Sequence, residues 1–217
     1  TCEICGTLFF YYPSSMQKYC SRSCYWKRSC GEAVLAMSSP LAYLIGVYLG
    51  DGCANHRQFI VQVSDRPFAD SCLEALKSIG VHPREYAIRA RGNTKAMVRV
   101  VASCAPLARW LCQLSLGDIR KMIVEPEHRR EFVRGFYESE GHAHYSTDFL
   151  HATAHKGNPS YYRQYPRVFL TMTNTCSDTL SLVRYWASER GHFFRLMKQR
   201  ITTTGKQAYQ LYLGKIL

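Results

Sequence analysis

What this chain has little of narrows its function before any motif is read. No apolar run in this sequence is long enough to cross a bilayer as a helix, and neither a membrane anchor nor a secretory leader is expected. Acids are few. The 16 Asp and Glu stand against 28 Lys and Arg, giving a formal charge of +12 and a pI near 9.3. So basic a balance favours a phosphate-bearing partner and says nothing about fold. A disulfide framework is also missing, because six of the ten cysteines (Cys30, Cys53, Cys72, Cys104, Cys112 and Cys176) are isolated. The expected compartment is therefore intracellular and reducing.

What is present is said twice. Segments 44–52 (LIGVYLGDG) and 133–141 (VRGFYESEG) are both helical runs with a small residue at the third and seventh positions, an acid at the eighth and a closing glycine. In register, Gly46 aligns with Gly135, Gly50 with Ser139, Asp51 with Glu140 and Gly52 with Gly141. Small residues four apart clear one stripe of a helix and let two backbones approach. The closing glycine suits a left-handed residue that stops a helix, which would put each carboxylate on a last turn, where the helix dipole disfavours negative charge. Two acids in such places make sense if they recruit a divalent cation. Hard oxygen ligands suit Mg²⁺, which can activate a water and stabilise a leaving phosphate oxygen.

These segments resemble the two signature helices of a single-chain LAGLIDADG homing endonuclease, and the likeness covers about residues 40 to 217. The resemblance implies a monomeric α+β pseudo-dimer of two αββαββα halves with saddle-shaped antiparallel sheets. It implies that Asp51 and Glu140 are the catalytic acids and, with Gly50 and Ser139, bind the Mg²⁺, with Ca²⁺ able to occupy the site without cleavage. The partner would be a long asymmetric double-stranded DNA target, cut in staggered fashion to leave 3′ overhangs, with no membrane involved. A basic residue near the scissile phosphates is expected, with Lys95, Lys198 and Lys206 as candidates. The setting implied is the cytoplasm of a bacterium or a phage-infected cell, the gene lying in an intron or standing alone. A non-cleaving binder of the same fold, an intron RNA maturase or a DNA-binding regulator, is the alternative.

The rest of each half can be read without the name. Strand-like runs 58–65 and 167–174 follow the signatures, each leading to an amphipathic helix (67–79 and 176–190) that stops at Gly80 or Gly191. A strand pair comes next in each copy, 86–91 with 96–101 and 194–201 with 207–213, and only the first half continues into a closing helix (105–114) and a connection (116–124). Alternation sets Ile88 and Ala90 against Arg89 and Arg91, and Val98 and Val100 against Arg99, so one sheet face is dry and the other carries long donors. The outward set reads Gln58, Gln62, Arg89, Arg91, Lys95 and Arg99 in the first half, then Arg167, Thr171, Lys198, Lys206 and Gln210 in the second. Arg and Lys match guanine edges and Gln matches adenine edges in a major groove. Gly52 to Gln58 is 6 residues and Gly141 to Arg167 is 26, so the second half holds an insertion of 20. Aromatic and basic residues fill it, Arg163 among them, which suits DNA contact as well as a surface loop. Its histidines His142, His144, His151 and His155 match no metal-ligand spacing.

Residues 1–30 belong to neither repeat. Cys2-x-x-Cys5, 14 residues, then Cys20-x-x-x-Cys24 puts four thiols in two tight pairs, the pattern of a structural tetrahedral Zn²⁺ site. So few apolar residues lie between them that metal would have to supply the folding energy. Cys30 is a further thiol at a poorer spacing. The segment resembles the small zinc modules attached to phage and bacterial intron endonucleases, where they extend DNA contact. The expected organisation is a zinc module (1–30), a linker (31–39), a first half (40–124) and a second half (125–217), with Ser39 and Pro40 as N-cap and first residue of the first signature helix.

Overall fold

The computed structural model describes all residues except 11–16, 31–34, 91–94, 152–161, 203–204 and 217. The chain divides into two compact units, Thr1–Ser139 and Glu140–Leu217. The first contains α1 (Arg22–Cys30), α2 (Ser39–Leu49), β1 (Cys53–Ala54), β2 (Phe59–Val63), α3 (Arg66–Ser78), β3 (Arg84–Ile88), β4 (Met97–Ala102), α4 (Ala105–Gln113), α5 (Leu116–Met122) and α6 (Pro126–Glu140), whose last residue opens the second unit. The second continues with β5 (Gly141–His151), β6 (Tyr162–Asn174), α7 (Ser177–Ser188), β7 (Arg195–Ile201) and β8 (Gln207–Ile216). The two antiparallel sheets, one in each unit, run β1-β2-β4-β3 and β5-β6-β8-β7, the same order twice, as a duplicated αββαββ unit requires.

The helices form where apolar spacing and punctuation agree. In α3, Phe68, Ala69, Cys72, Ala75 and Leu76 are buried on one stripe, Pro67 sits in the first turn, and Gly80 follows at φ +78°. Leu180, Leu182, Val183 and Trp186 do the same in α7, which is followed by Gly191, also at φ +78°. A left-handed residue after the last turn is where glycine has a conformational advantage, and here the two copies agree. Buried on every side from Leu41 to Val47, α2 lies in the middle of the first unit. Its N-cap is Ser38, one residue before the expected Ser39, and the Ser38 side chain makes no capping bond. The expected connection 116–124 contains a helix. Ser115 Oγ accepts from Asp118 N at 3.2 Å while Asp118 Oδ2 accepts from Ser115 N at 3.1 Å, a reciprocal cap; the Ser115 hydroxyl, 2.6 Å from Asp118 Oδ2, and then the Ser115 N–H hold the Asp118 carboxyl below its ordinary range.

Strand pairing corrects the size of the insertion. Gly80 and Gly191 are 111 positions apart (191 − 80), and the cross-strand rows Val61–Val100–Glu85 and Met172–Leu211–Leu196 are displaced by the same 111. Gly46 and Gly135 are 89 apart (135 − 46), so the excess in the second unit is 22 residues (111 − 89), and Gln58 corresponds to Phe169 instead of Arg167. Sequence could not separate the two alignments. Strand alternation repeats every two residues, and a shift of two leaves the pattern unchanged. The extra residues lengthen a hairpin: β1 pairs over two positions, whereas β5 pairs with β6 from Gly141–Met172 to His151–Tyr162.

Candidate metal centres and nucleic-acid interface

The two signature helices meet backbone to backbone. A Cβ on Gly46 would lie 2.1 Å from the Phe132 carbonyl oxygen, and one on Gly135 would lie 2.2 Å from the Tyr43 carbonyl oxygen, so neither position has room for a methyl. Tyr43, fully buried beside this crossing, donates its hydroxyl to Glu138 Oε2 at 2.6 Å, and the Arg134 guanidinium sits 4.6 Å above its ring. Burial pushes the Tyr43 hydroxyl far up, so it stays a donor.

Each helix runs out at its acid, in different ways. Asp51 stands two residues past the end of α2, in a turn closed by Gly52 N donating to Val47 O at 2.9 Å. Gly52 is not left-handed. A side chain there would meet Tyr48 Cα at 2.7 Å and the Phe59 ring at 2.9 Å, so this glycine serves close approach, contrary to the expected helix-stopping role. Gly141 likewise starts β5. Although Asp51 reaches solvent, loss of water around the carboxyl raises its proton affinity, and no basic side chain pairs with it among the described residues. A crowded carboxylate lacking a counter-ion suits a hard divalent cation. Glu140 is the last residue of α6. Its Oε1 accepts from Asn174 Nδ2 at 2.8 Å, and Asn174 Oδ1 accepts from Cys176 N at 2.8 Å, so the base of α7 orients the acid. Gly50 and Ser139 precede the acids, and Ser139 Oγ donates to Phe136 O at 2.9 Å.

In the first sheet Gln62 faces Arg99 and Arg99 faces Tyr86, so the three share one face, with Ile60, Val101 and Arg84 in the next row. Phe59, Val61, Val63 and Val100 are buried on the other. Arg99 Nε and Nη2 donate to Gln62 Oε1 at 3.1 and 2.7 Å, which fixes the guanidinium in place, and Gln58 Nε2 donates to Ser103 Oγ at 3.1 Å. The expected phase of β3 is wrong. Ile88 shares the Arg99 face, and Arg89 falls after the strand ends, out of phase with Arg99. On this edge strand Arg84, Glu85, Tyr86 and Ala87 are all exposed, so alternating burial leaves no sequence signal. Lys95 is exposed just before β4; Arg91 lies outside the described residues.

In the second sheet Thr171 faces Tyr212 and Thr173 faces Gln210, with His142 opposite Thr171 and Arg195 opposite Tyr212. Lys198 pairs with Tyr209 and belongs with Leu196, whose partner Leu211 is buried, so it is on the opposite face from Gln210. That corrects its expected placement. Lys206 is exposed in the turn before β8, its N–H donating to Thr202 Oγ1 at 3.1 Å. Arg163 and Arg167 lie on β6, opposite Leu150 and Ser146. Two arginines were missed: Arg84 and Arg195 are 111 apart, exposed, and each on its sheet's polar face. The signal was a two-residue step back from Tyr86 and from Met197. No Asp or Glu is found among the described side chains of these two faces. His142 and His144 stack beside each other on β5 at 6.3 Å between centroids, and His155 lies outside the described residues.

The four N-terminal thiols converge. The sulfurs of Cys2, Cys5, Cys20 and Cys24 all lie within 4.8 Å of one another, where four sulfurs around one Zn²⁺ would sit at roughly 3.8 Å. Burial raises the Cys2 thiol, but backbone N–H groups of Cys20, Cys5 and Ile4 outweigh it and hold Cys2 at about 6, while the Cys5 and Cys24 thiols push Cys20 up to about 12. Gly6 at φ +70° turns the chain after the first pair, with Gly6 N donating to Cys2 O at 3.0 Å. None of the ten cysteines is in a disulfide. The linker does not isolate this module, because Cys30 is buried at the end of α1, 3.7 Å from the Ser103 carbonyl.

Residues 38–112 match the family described as the LAGLIDADG-like domain. The uncharacterized protein MJ0398 of Methanocaldococcus jannaschii is 31% identical over 114 residues, which is 50% of this chain and 41% of that protein. Among solved structures, mesophilic variants of the homing endonuclease I-DmoI superpose with a TM-score of 0.53 at 16% identity, covering 82% of this chain and 83% of theirs. An I-DmoI variant in complex with its target DNA in the presence of Mg gives 0.53 at 16%, covering 82% and 89%. The N-terminal LAGLIDADG domain of DUF199/WhiA gives 0.52 at 14%, covering 84% and 78%. No helix among the described residues is long and apolar enough to cross a membrane. Duplicated sheet order, glycine-packed helices and these matches together give the chain the LAGLIDADG fold, with residues 38–112 forming a LAGLIDADG-like domain.

Proposed function

We propose that this chain is a monomeric, site-specific DNA endonuclease of the homing type, making a Mg²⁺-dependent staggered double-strand cut with 3′ overhangs at a long asymmetric target. One observation carries the reading: two helices packed through Gly46 and Gly135 each run out at an acid, and Asp51 is desolvated with no cationic partner among the described residues. Asp51 and Glu140, with Gly50 and Ser139 before them, would hold Mg²⁺. When bound, that ion supplies an activated water and charge neutralisation on the leaving oxygen. Asn174 orients Glu140, the polar sheet faces, free of acids among their described side chains, accept the DNA backbone and base edges, and Gln58, Gln62, Arg99, Thr171 and Gln210 are the contacts assigned to bases. Lys95 or Lys206 supports the charged transition state. The four cysteines would hold a structural Zn²⁺ in a module that extends DNA contact, which needs a reducing compartment.

A non-cleaving nucleic-acid binder of the same fold is the second reading, since the fold is shared with a WhiA domain as well as a homing endonuclease. The acids favour the nuclease, because binding alone gains nothing from carboxylates near phosphate. Selection of cleaved sites from a randomised DNA library with Mg²⁺ tests the two together. Recovery of a defined cut site supports the nuclease, and enrichment by binding without cutting supports the alternative.

A further inference from the structure

The two polar sheet faces, aligned by their 111-residue displacement, present different chemistry at matching positions. Gln62 and Arg99 in the first sheet correspond to Thr173 and Gln210 in the second, and Gln58 and Ile60 to Phe169 and Thr171. In the first sheet the fixed guanidinium of Arg99 directs two of its five N–H donors to Gln62 and keeps three for a partner. In the middle of the second sheet the polar side chains of Thr171, Thr173 and Gln210 bond within the sheet. Thr171 Oγ1 donates to the His142 carbonyl at 3.4 Å, Gln210 Oε1 accepts from Gln199 Nε2 at 2.8 Å, and Gln210 Nε2 donates to Thr173 Oγ1 at 3.5 Å. What the middle of this face still offers a ligand is apolar, with the exposed His142, His144 and Arg195 around it. It consists of the half-buried Phe169 ring, between His144 at 6.4 Å and Tyr212 at 5.5 Å, and the Thr171 methyl.

Along the edges of DNA bases in the major groove, thymine alone carries an apolar group, its 5-methyl, and Phe and the Thr methyl are side chains that pack on it. We propose that the second sheet reads thymine methyls through Phe169 and Thr171, while the first sheet reads hydrogen-bond acceptors through Arg99. This rests on the DNA-endonuclease reading above and specifies how its target is recognised. Half of the target is a methyl-read, A·T-bearing sequence, and the other half is read by donors.

The test replaces thymine with uracil, which deletes the methyl and keeps every hydrogen-bonding group. Target DNA from the cleavage selection is made with uracil in one half or the other, and affinity is measured in Ca²⁺, without cutting. Each contacted thymine should cost about fourfold when it becomes uracil, the transfer value of one buried methyl. The loss should fall in one half only, and it should shrink in Phe169→Ala and, with less disturbance to the fold, in Thr171→Ser, which removes the methyl and keeps the bond to His142. Equal or absent penalties in the two halves, or a penalty unchanged in both variants, overturn the proposal while the endonuclease reading stands. A protein that binds no DNA at all overturns both.

Discussion

Gly46→Ala should be among the most damaging single-methyl changes this chain can suffer. The added carbon would sit 2.1 Å from the Phe132 carbonyl oxygen and 2.8 Å from the Phe136 nitrogen, and both are backbone atoms that cannot rotate away. An ordinary contact begins near 3.4 Å, so α2 and α6 must separate by about 1.3 Å. A gap of that order forfeits half or more of the dispersion attraction along the seam, where Tyr43, Phe132 and Phe136 are fully buried. Overpacking of this kind costs about 1–3 kcal/mol and sometimes more, and the backbone clash argues for the upper end. Gly117→Ala is the matched control: it is in a helix too, yet its new methyl meets only Ser115 Oγ at 3.5 Å, so it should stabilise by roughly 0.5 kcal/mol. Melts followed by circular dichroism should show Gly46→Ala down by about 6–12 °C and Gly117→Ala level or slightly up. If the two variants melt together, the helices are not packed through Gly46.

Asp51→Asn and Glu140→Gln should each abolish double-strand cleavage in Mg²⁺ and leave DNA affinity within a few-fold, whereas near wild-type cutting by either variant removes that acid from the metal. Because desolvation raises the Asp51 carboxyl, its ionised form opposes folding; without metal, Asp51→Asn should therefore raise the melting temperature at neutral pH and lose that gain as acid protonates the wild type, and a gain independent of pH would contradict the assignment. Cys20→Ser should release stoichiometric zinc and loosen the first thirty residues, with cleavage of the core site persisting at high protein concentration; absence of zinc from the wild type ends the four-thiol reading. Arg99→Ala should cost about 1–3 kcal/mol at one target position if it reads a base, while Arg84→Ala or Arg195→Ala, if each touches a phosphate, should weaken all sequences alike and flatten the salt dependence by about one unit.

Most of the fold was legible because its signals are redundant. Gly46, Gly135, Gly80 and Gly191 each mark a place where a side chain or a right-handed conformation does not fit, and they recur in the same order in both copies. The interior strands were found from alternation that burial enforces, as at Phe59, Val61 and Val63. Where burial enforces nothing, the reading failed. On β3, exposed from Arg84 to Ala87, the phase was inverted, and Lys198 was put on the wrong face of β7, which like β3 is an edge strand. The two-residue β1 is too short to leave a periodic trace, and the true 22-residue excess was indistinguishable from 20 by a pattern of period two. Gly52 shows a different limit: a glycine is equally visible whether it supplies a left-handed turn or space for Phe59, and only the packing tells which.

The boundary at Ser139–Glu140 bears on how such a protein could be rebuilt. Both glycine contacts, the Tyr43–Glu138 bond and the whole of α2 lie on its N-terminal side, and the second sheet lies wholly on the other. Residues 140–217 hold the second sheet together with Glu140 and the Asn174 that orients it, so on the proposed reading an exchange of this segment would carry new base preferences and an acid with its asparagine in one piece.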